Sequence, residues 1–130
     1  IGWYMFATGM IFVDRSDRSK AKTSMQKAAR LVHEGKDVLM FPEGTRSRSG
    51  QLQTFKKGAF ILAQNAVVPV VPVAISGTEK VLKSDSWLLR PGKISVHIGR
   101  PISGKNLDPM SYAEACKDSI RSLQLDSVSA

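Results

Sequence analysis

Phe41-Pro42-Glu43-Gly44-Thr45-Arg46-Ser47 follows the apolar run Val38-Leu39-Met40 and puts a carboxylate, a glycine, a guanidinium and two hydroxyls into one turn. Residues 38–41 predict a short buried strand. Pro42 has no N–H to give to a ladder and ends the strand, and Gly44 admits backbone angles closed to other residues. The polar side chains are then presented just beyond a strand end. Arg46 carries a planar fork that fits a phosphate or carboxylate, and Glu43 can accept from a hydroxyl or hold that fork. Two readings fit: an anion-handling loop, or a polar loop with a local Glu–Arg pair.

Upstream, residues 9–13 predict another strand, ending in Asp14-Arg15-Ser16-Asp17. The period then changes. Ala21, Met25, Ala28, Ala29 and Val32 recur at helical spacing, and Gly35 supplies the stop. Lys20, Lys22, Lys27 and Arg30 fall on the other side of this helix, as a solvated outer face or a membrane-facing stripe. With residues 37–41 as the next strand, strand–helix–strand implies parallel strands joined by a right-handed crossover. Their carboxyl ends share one edge of the sheet, so Asp14-Arg15 and Glu43-Gly44-Thr45-Arg46 approach each other. Two arginines then face one cleft.

Downstream, a loop over 47–54 leads to a helix predicted over 55–65, with Phe55, Ala59, Leu62, Ala63 and Ala66 buried. Lys56 and Lys57 in its first turn oppose the helix dipole unless an anion sits nearby. Residues 67–75 are almost continuously apolar, as in a strand covered on both faces, but Pro69 and Pro72 each remove a ladder donor and imply an edge or a bulge. That completes β-α-β-α-β. Residues 79–92 are irregular, and Trp87-Leu88-Leu89 either pack under the sheet or touch an acyl chain or a membrane surface; packing is the expectation. Residues 93–98 alternate like a half-buried strand. Asp108 is a helix cap with Pro109 in the first turn, Ala113, Cys116, Ile120 and Leu123 make the core face, and 124–130 read as a frayed end.

The 130 residues, 42% hydrophobic and 23% charged, suit one globular domain. No stretch reaches the ~18–20 apolar residues of a spanning helix, and residues 1–13 lack the basic flank and cleavage site of a signal peptide. They read as the tail of a larger core. A net charge of +8 favours anionic partners: nucleic acid, an anionic membrane or phosphorylated small molecules. Without zinc-finger spacing, RRM-like runs or aromatics interleaved with the basic residues, nucleic acid falls behind. The single Cys116 excludes an internal disulfide and argues against a cysteine metal site.

Phe12-Val13-Asp14-Arg15, the seven-residue block 41–47, and Val68-Pro69-Val70-Val71-Pro72-Val73-Ala74-Ile75 resemble, in order, three of the four blocks of the glycerolipid acyltransferases, in particular the 1-acyl-sn-glycerol-3-phosphate acyltransferases. Phe55-Lys56-Lys57-Gly58-Ala59 is similar to the family's sequence between its last two blocks. The resemblance implies an α/β fold with a mixed, largely parallel sheet and packed helices, like that of the glycerol-3-phosphate acyltransferases and truncated at its N-terminus. Residues 1–130 are then the C-terminal part of a single acyltransferase domain. It also implies transfer of a fatty acyl group from acyl-CoA or acyl-carrier protein to the sn-2 hydroxyl of lysophosphatidic acid, giving phosphatidic acid. No metal, other cofactor or nucleic acid takes part. The work is done at a membrane surface, on the cytoplasmic face of a bacterial inner membrane or the endoplasmic reticulum. Arg15, Glu43, Gly44, Thr45 and Arg46 match the family's acceptor-phosphate positions, and Pro72 falls in the block that shapes the acyl-donor side.

The family's general base is a His in a His-x-x-x-x-Asp block, expected upstream of Phe12, and residues 1–11 contain no His. Asp37 lies four residues after His33 where the block requires five, and His97 has no Asp at that spacing. No catalytic residue is therefore assigned. His33 is expected at a helix end and His97 on one face of a strand. Other readings stay open: an acyltransferase for another glycerophosphate or lysophospholipid acceptor, a non-catalytic phosphate- or phospholipid-binding module, and a basic nucleic-acid-binding domain. A serine hydrolase is weaker, with no Gly-x-Ser-x-Gly turn present.

Overall fold

The computed structural model describes residues 18–45, 47, 51–83 and 86–128. The chain divides into two compact units, Ile1–Met40 and Phe41–Ala130.

The first unit holds helix α1, Arg18–His33. Ala28 is buried and Lys22, Lys27 and Arg30 are exposed, as the periodicity predicts. The helix closes on a Schellman motif: Lys36 N donates to Leu31 O and Gly35 N to Val32 O, both at 3.0 Å, with Gly35 at φ 77°. The strand expected over 9–13, with Asp14 and Arg15, lies outside the described residues. Residues 36–41 form no ladder among the described residues. A strand is defined by its pairing, and the expected partner of this one lies outside them.

The second unit runs through helix α2 (Gly58–Asn65), strand β1 (Val73–Ser76), the one-turn helix α3 (Thr78–Val81), strand β2 (Ser95–Ile98) and helix α4 (Pro109–Val128). Helices and a sheet make it α/β; among the described residues the sheet is the antiparallel pair β1–β2, with Val73 opposite Ile98 and Ser76 opposite Ser95. The strand expected over 67–75 is shorter, and Pro72 is the reason. Val70 bridges Ile102 while Val73 faces Ile98, so residues 99–101 stand opposite only 71–72. That extra residue is a β-bulge, closed by Gly99 N donating to Pro72 O at 2.8 Å. The two prolines predicted this irregularity.

Helix α2 starts three residues later than expected. Phe55 is buried ahead of it, Lys56 precedes it, and Lys57 is its N-cap without a side-chain cap bond. Phe60, which the helical spacing did not pick out, is buried at the centre of the core. Its ring stacks on Phe55 at 6.3 Å and meets Tyr112 edge-on at 5.4 Å, with Ala63, Ala113 and Cys116 around them. Tyr112 also ties the sheet to α4: its hydroxyl donates to Ile102 O (2.8 Å) and accepts from Val70 N (3.0 Å).

Asp108 caps α4 as expected. Its Oδ1 accepts from Met110 N (2.9 Å) and Ser111 N (3.2 Å), and Ser111 Oγ donates to Oδ2. These bonds hold the Asp108 carboxyl below its ordinary pKa. Residues 124–128, expected to be frayed, are helical: once a helix is nucleated each added residue needs only one more hydrogen bond. Trp87, Leu88 and Leu89, expected to pack, are exposed. They immediately precede Arg90, whose N donates to Val81 O at 2.8 Å.

Candidate functional site

The loop that follows Phe41 is held by its own main chain. Gly44 N donates to Phe41 O at 3.2 Å, making a tight turn that Gly44 completes at φ 83°, a left-handed conformation that favours glycine. Lys56 N donates to Pro42 O at 2.8 Å, drawing the two ends of the loop together. Inside that closure Gln53 N donates to Glu43 Oε2 at 2.9 Å, and Thr45 Oγ1 donates to Gln53 Oε1 at 3.4 Å. Glu43, Gly44 and Thr45 are thus brought together in one clasped loop, Glu43 and Gly44 half-buried and Thr45 exposed.

Lys56 and Lys57 leave this loop with exposed side chains and lead into the N-terminus of α2. A helix start carries partial positive charge and unpaired N–H groups, so two cations and a dipole of the same sign converge beside the clasp. Such a surface is stabilised by an anion. The Glu43 carboxylate keeps its negative charge while it accepts the backbone donor, so it offsets one of these cations and leaves the other and the helix start.

The other expected site residues separate as follows. Arg15 and Arg46 lie outside the described residues, and so does the cleft they were expected to share. Pro72 is buried in the β-bulge, with its carbonyl on Gly99, and belongs to the sheet rather than to the loop. His33 is exposed at the end of α1, and His97 is half-buried on β2 opposite Ala74, each as expected. Among the described residues no cluster of His, Cys, Asp or Glu is placed to hold a metal ion. Sequence reasoning missed Gln53. A glutamine inside a polar loop has no spacing to betray it, and its most important atom, the backbone N–H, is common to nearly every residue.

The fold is that of an α/β acyltransferase. The crystal structure of the 1-acyl-sn-glycerophosphate acyltransferase PlsC from Thermotoga maritima matches it with a TM-score of 0.77 and 27% identity, over 97% of this chain and 51% of that one. The acyltransferase family profile covers residues 1–76, and the chain belongs to that family. It is 40% identical over 109 residues to the chloroplastic 1-acyl-sn-glycerol-3-phosphate acyltransferase BAT2 of Brassica napus, spanning 83% of this chain and 32% of the relative. The enzyme of the same name from Haemophilus influenzae is 37% identical over 123 residues, 94% of this chain and 47% of the relative. The human beta form is 34% identical over 125 residues, 93% and 45%. The chain therefore spans about a third to a half of the length of these relatives.

Proposed function

We propose that this chain supplies the acceptor-phosphate part of a 1-acyl-sn-glycerol-3-phosphate acyltransferase. In that reaction the sn-2 hydroxyl of lysophosphatidic acid attacks the thioester carbonyl of acyl-CoA or acyl-carrier protein. A C–O bond forms, the C–S bond breaks, the thiol leaves with a proton, and phosphatidic acid results. The single observation that carries the reading is the clasp of Glu43 by Gln53 N, which, with Lys56 N on Pro42 O, ties the Glu43 turn to the segment that leads through Lys56 and Lys57 into α2. A turn already tied by its own main chain has less to order when a phosphate binds. The names of the relatives supply the acceptor.

Each residue then has a part. Arg46 grips the phosphate oxygens as a fork and Arg15 adds a second cation. Gly44 lets the main chain come close, and Thr45 offers a hydroxyl. Pro72 shapes the sheet on the donor side through the bulge it creates. No residue of this chain is assigned to deprotonate the acceptor, since neither His33 nor His97 stands in a His-x-x-x-x-Asp block. The 130 residues are one part of a single acyltransferase domain that binds the acceptor, the thioester and the cytoplasmic face of a membrane. Among the described residues no helix is long and apolar enough to cross a membrane.

Titration calorimetry with lysophosphatidate below its micellar concentration tests this. Arg46→Ala weakens binding by about 1.5–3 kcal/mol, the worth of a charged hydrogen bond. Equal binding by wild type and variant removes the phosphate role from the loop. Given lysophosphatidate and an acyl thioester, the chain alone produces no phosphatidic acid; turnover by it would overturn the division of labour.

A further inference from the structure

Gln53 meets the Glu43 turn twice. Its backbone N donates to Glu43 Oε2 at 2.9 Å, and its side-chain Oε1 accepts from Thr45 Oγ1 at 3.4 Å. The first contact belongs to the main chain, so exchanging the Gln53 side chain for another leaves the donor in place. The second depends on the carboxamide, and it determines what Thr45 can offer a ligand.

A threonine hydroxyl has one proton to give and two lone pairs. With that proton on Gln53 Oε1, Thr45 turns only lone pairs outward, and a phosphate oxygen, itself an acceptor, gains nothing from them. The bond that commits the proton is weak: 3.4 Å is well beyond the ~2.7–2.8 Å of a good O–H···O contact. A carboxamide also carries an acceptor and a donor of nearly the same size on one carbon, and half a turn about its last bond exchanges them. Gln64 is denied that exchange, because its Nε2 donates to Gly104 O at 2.8 Å and to Leu107 O at 2.6 Å. Gln53 is half-buried, and its Nε2 has no hydrogen-bond partner among the described residues. Its amide turns at the cost of one long bond.

We infer that Gln53 is a positioning residue that sets the hydrogen-bonding sense of Thr45. When a phosphate binds, the carboxamide turns, Nε2 donates to Thr45 Oγ1, and the Thr45 hydroxyl donates to a phosphate oxygen; every proton stays on its own heavy atom. The inference rests on the acceptor-phosphate reading of the loop. A glutamate at position 53 would not serve: it could only accept, would keep the Thr45 proton and would add a negative charge beside Glu43.

The test is a titration of the isotope-labelled 130-residue chain with lysophosphatidate below its micellar concentration, followed by nuclear magnetic resonance and by calorimetry. The Gln53 side-chain amide protons, assigned by their loss in Gln53→Met, move downfield at saturation. Thr45→Ser, which keeps the hydroxyl, retains that shift and Thr45→Val loses it. Gln53→Met and Thr45→Val each weaken binding by about three- to tenfold, and the double variant binds no worse than Thr45→Val alone. Gln53→Glu weakens it more than Gln53→Met does. The inference falls if the amide protons stay where they are at saturation, if they move equally in Thr45→Val, or if the two losses add. It also falls if Gln53→Met unfolds at a clearly lower urea midpoint than the parent, which would make the side chain a packing element of the loop. If the parent binds and Arg46→Ala weakens it while Gln53→Met binds like the parent, this inference alone falls. If the parent does not bind lysophosphatidate, the acceptor reading falls and takes this inference with it.

Discussion

Glu43 receives the backbone N–H of Gln53 at 2.9 Å across ten residues of chain, so the carboxylate of the Phe-Pro-Glu-Gly-Thr-Arg-Ser block is a structural acceptor before it meets any ligand. Removing it frees the loop and leaves a half-buried donor unpaired. Glu43→Ala is expected to cost about 1–2 kcal/mol of stability, the range for losing a charged acceptor at a partly wet site. Glu43→Gln keeps an oxygen in place and restores most of that stability. If Glu43 acted only on ligand, both variants would unfold at the wild-type urea midpoint; the clasp requires that they differ.

Tyr112 allows its hydroxyl to be separated from its ring. Val70 N lies 3.0 Å from both Ile102 O and the Tyr112 hydroxyl, so in Tyr112→Phe the bulge keeps its bridge and no donor is orphaned. The expected loss is about 1 kcal/mol. Tyr112→Ala also empties the space against Phe60 and costs about 3–5 kcal/mol. Urea unfolding of the pair distinguishes a packed ring from a hydrogen-bonding latch; equal losses would mean the ring contributes nothing beyond its hydroxyl.

These two cases show what the sequence reveals and what it hides. The helices are legible because their apolar residues repeat and their ends carry chemistry: Ala28 and Gly35 for α1, Asp108 and Pro109 for α4. The bulge is legible because proline cannot donate. The Glu43 clasp is not, since its donor is a main-chain N–H fixed by the tertiary course of the loop. Phe60 escapes because a short helix preceded by a buried Phe55 packs more than one stripe. Trp87, Leu88 and Leu89 were expected to be packed because apolar residues usually are, and only their exposure in the structure corrects that.

Helices α1 and α2 end in the same Schellman geometry with different residues. In α2, Val68 N donates to Ala63 O (3.0 Å) and Val67 N to Gln64 O (3.1 Å), which puts Val67 at φ 55°, where α1 has Gly35. A β-branched residue in the left-handed region carries about 1–2 kcal/mol of strain, and Val67 is exposed and gains little from packing. Glycine gives back part of that through the entropy of the unfolded chain. Val67→Gly is therefore expected to raise stability by about 0.5–1 kcal/mol, and thermal melting checks it. A lower melting temperature would mean that the Val67 side chain makes a contact that outweighs the strain.

Cys116 lies in the core beside Tyr112, and burial pushes its thiol from an ordinary value near 9 up to about 11. Burial also raises the Tyr112 phenol. Between those two pH values the unfolded chain loses the thiol proton while the folded chain keeps it. The unfolded state then binds fewer protons, so stability falls as pH rises. The contribution is fully present below about pH 9 and is lost by about pH 11, amounting to at most about 2.7 kcal/mol. Cys116→Ala is expected to be less stable at pH 7, because it leaves a small cavity, yet to lose less between pH 9 and 11. Urea midpoints for both proteins across that range test the sign. Parallel slopes would assign the alkaline loss to Tyr112 and the lysines. A thiol held protonated also reacts slowly, so a disulfide reagent at pH 8 should modify Cys116 in native protein far more slowly than in urea.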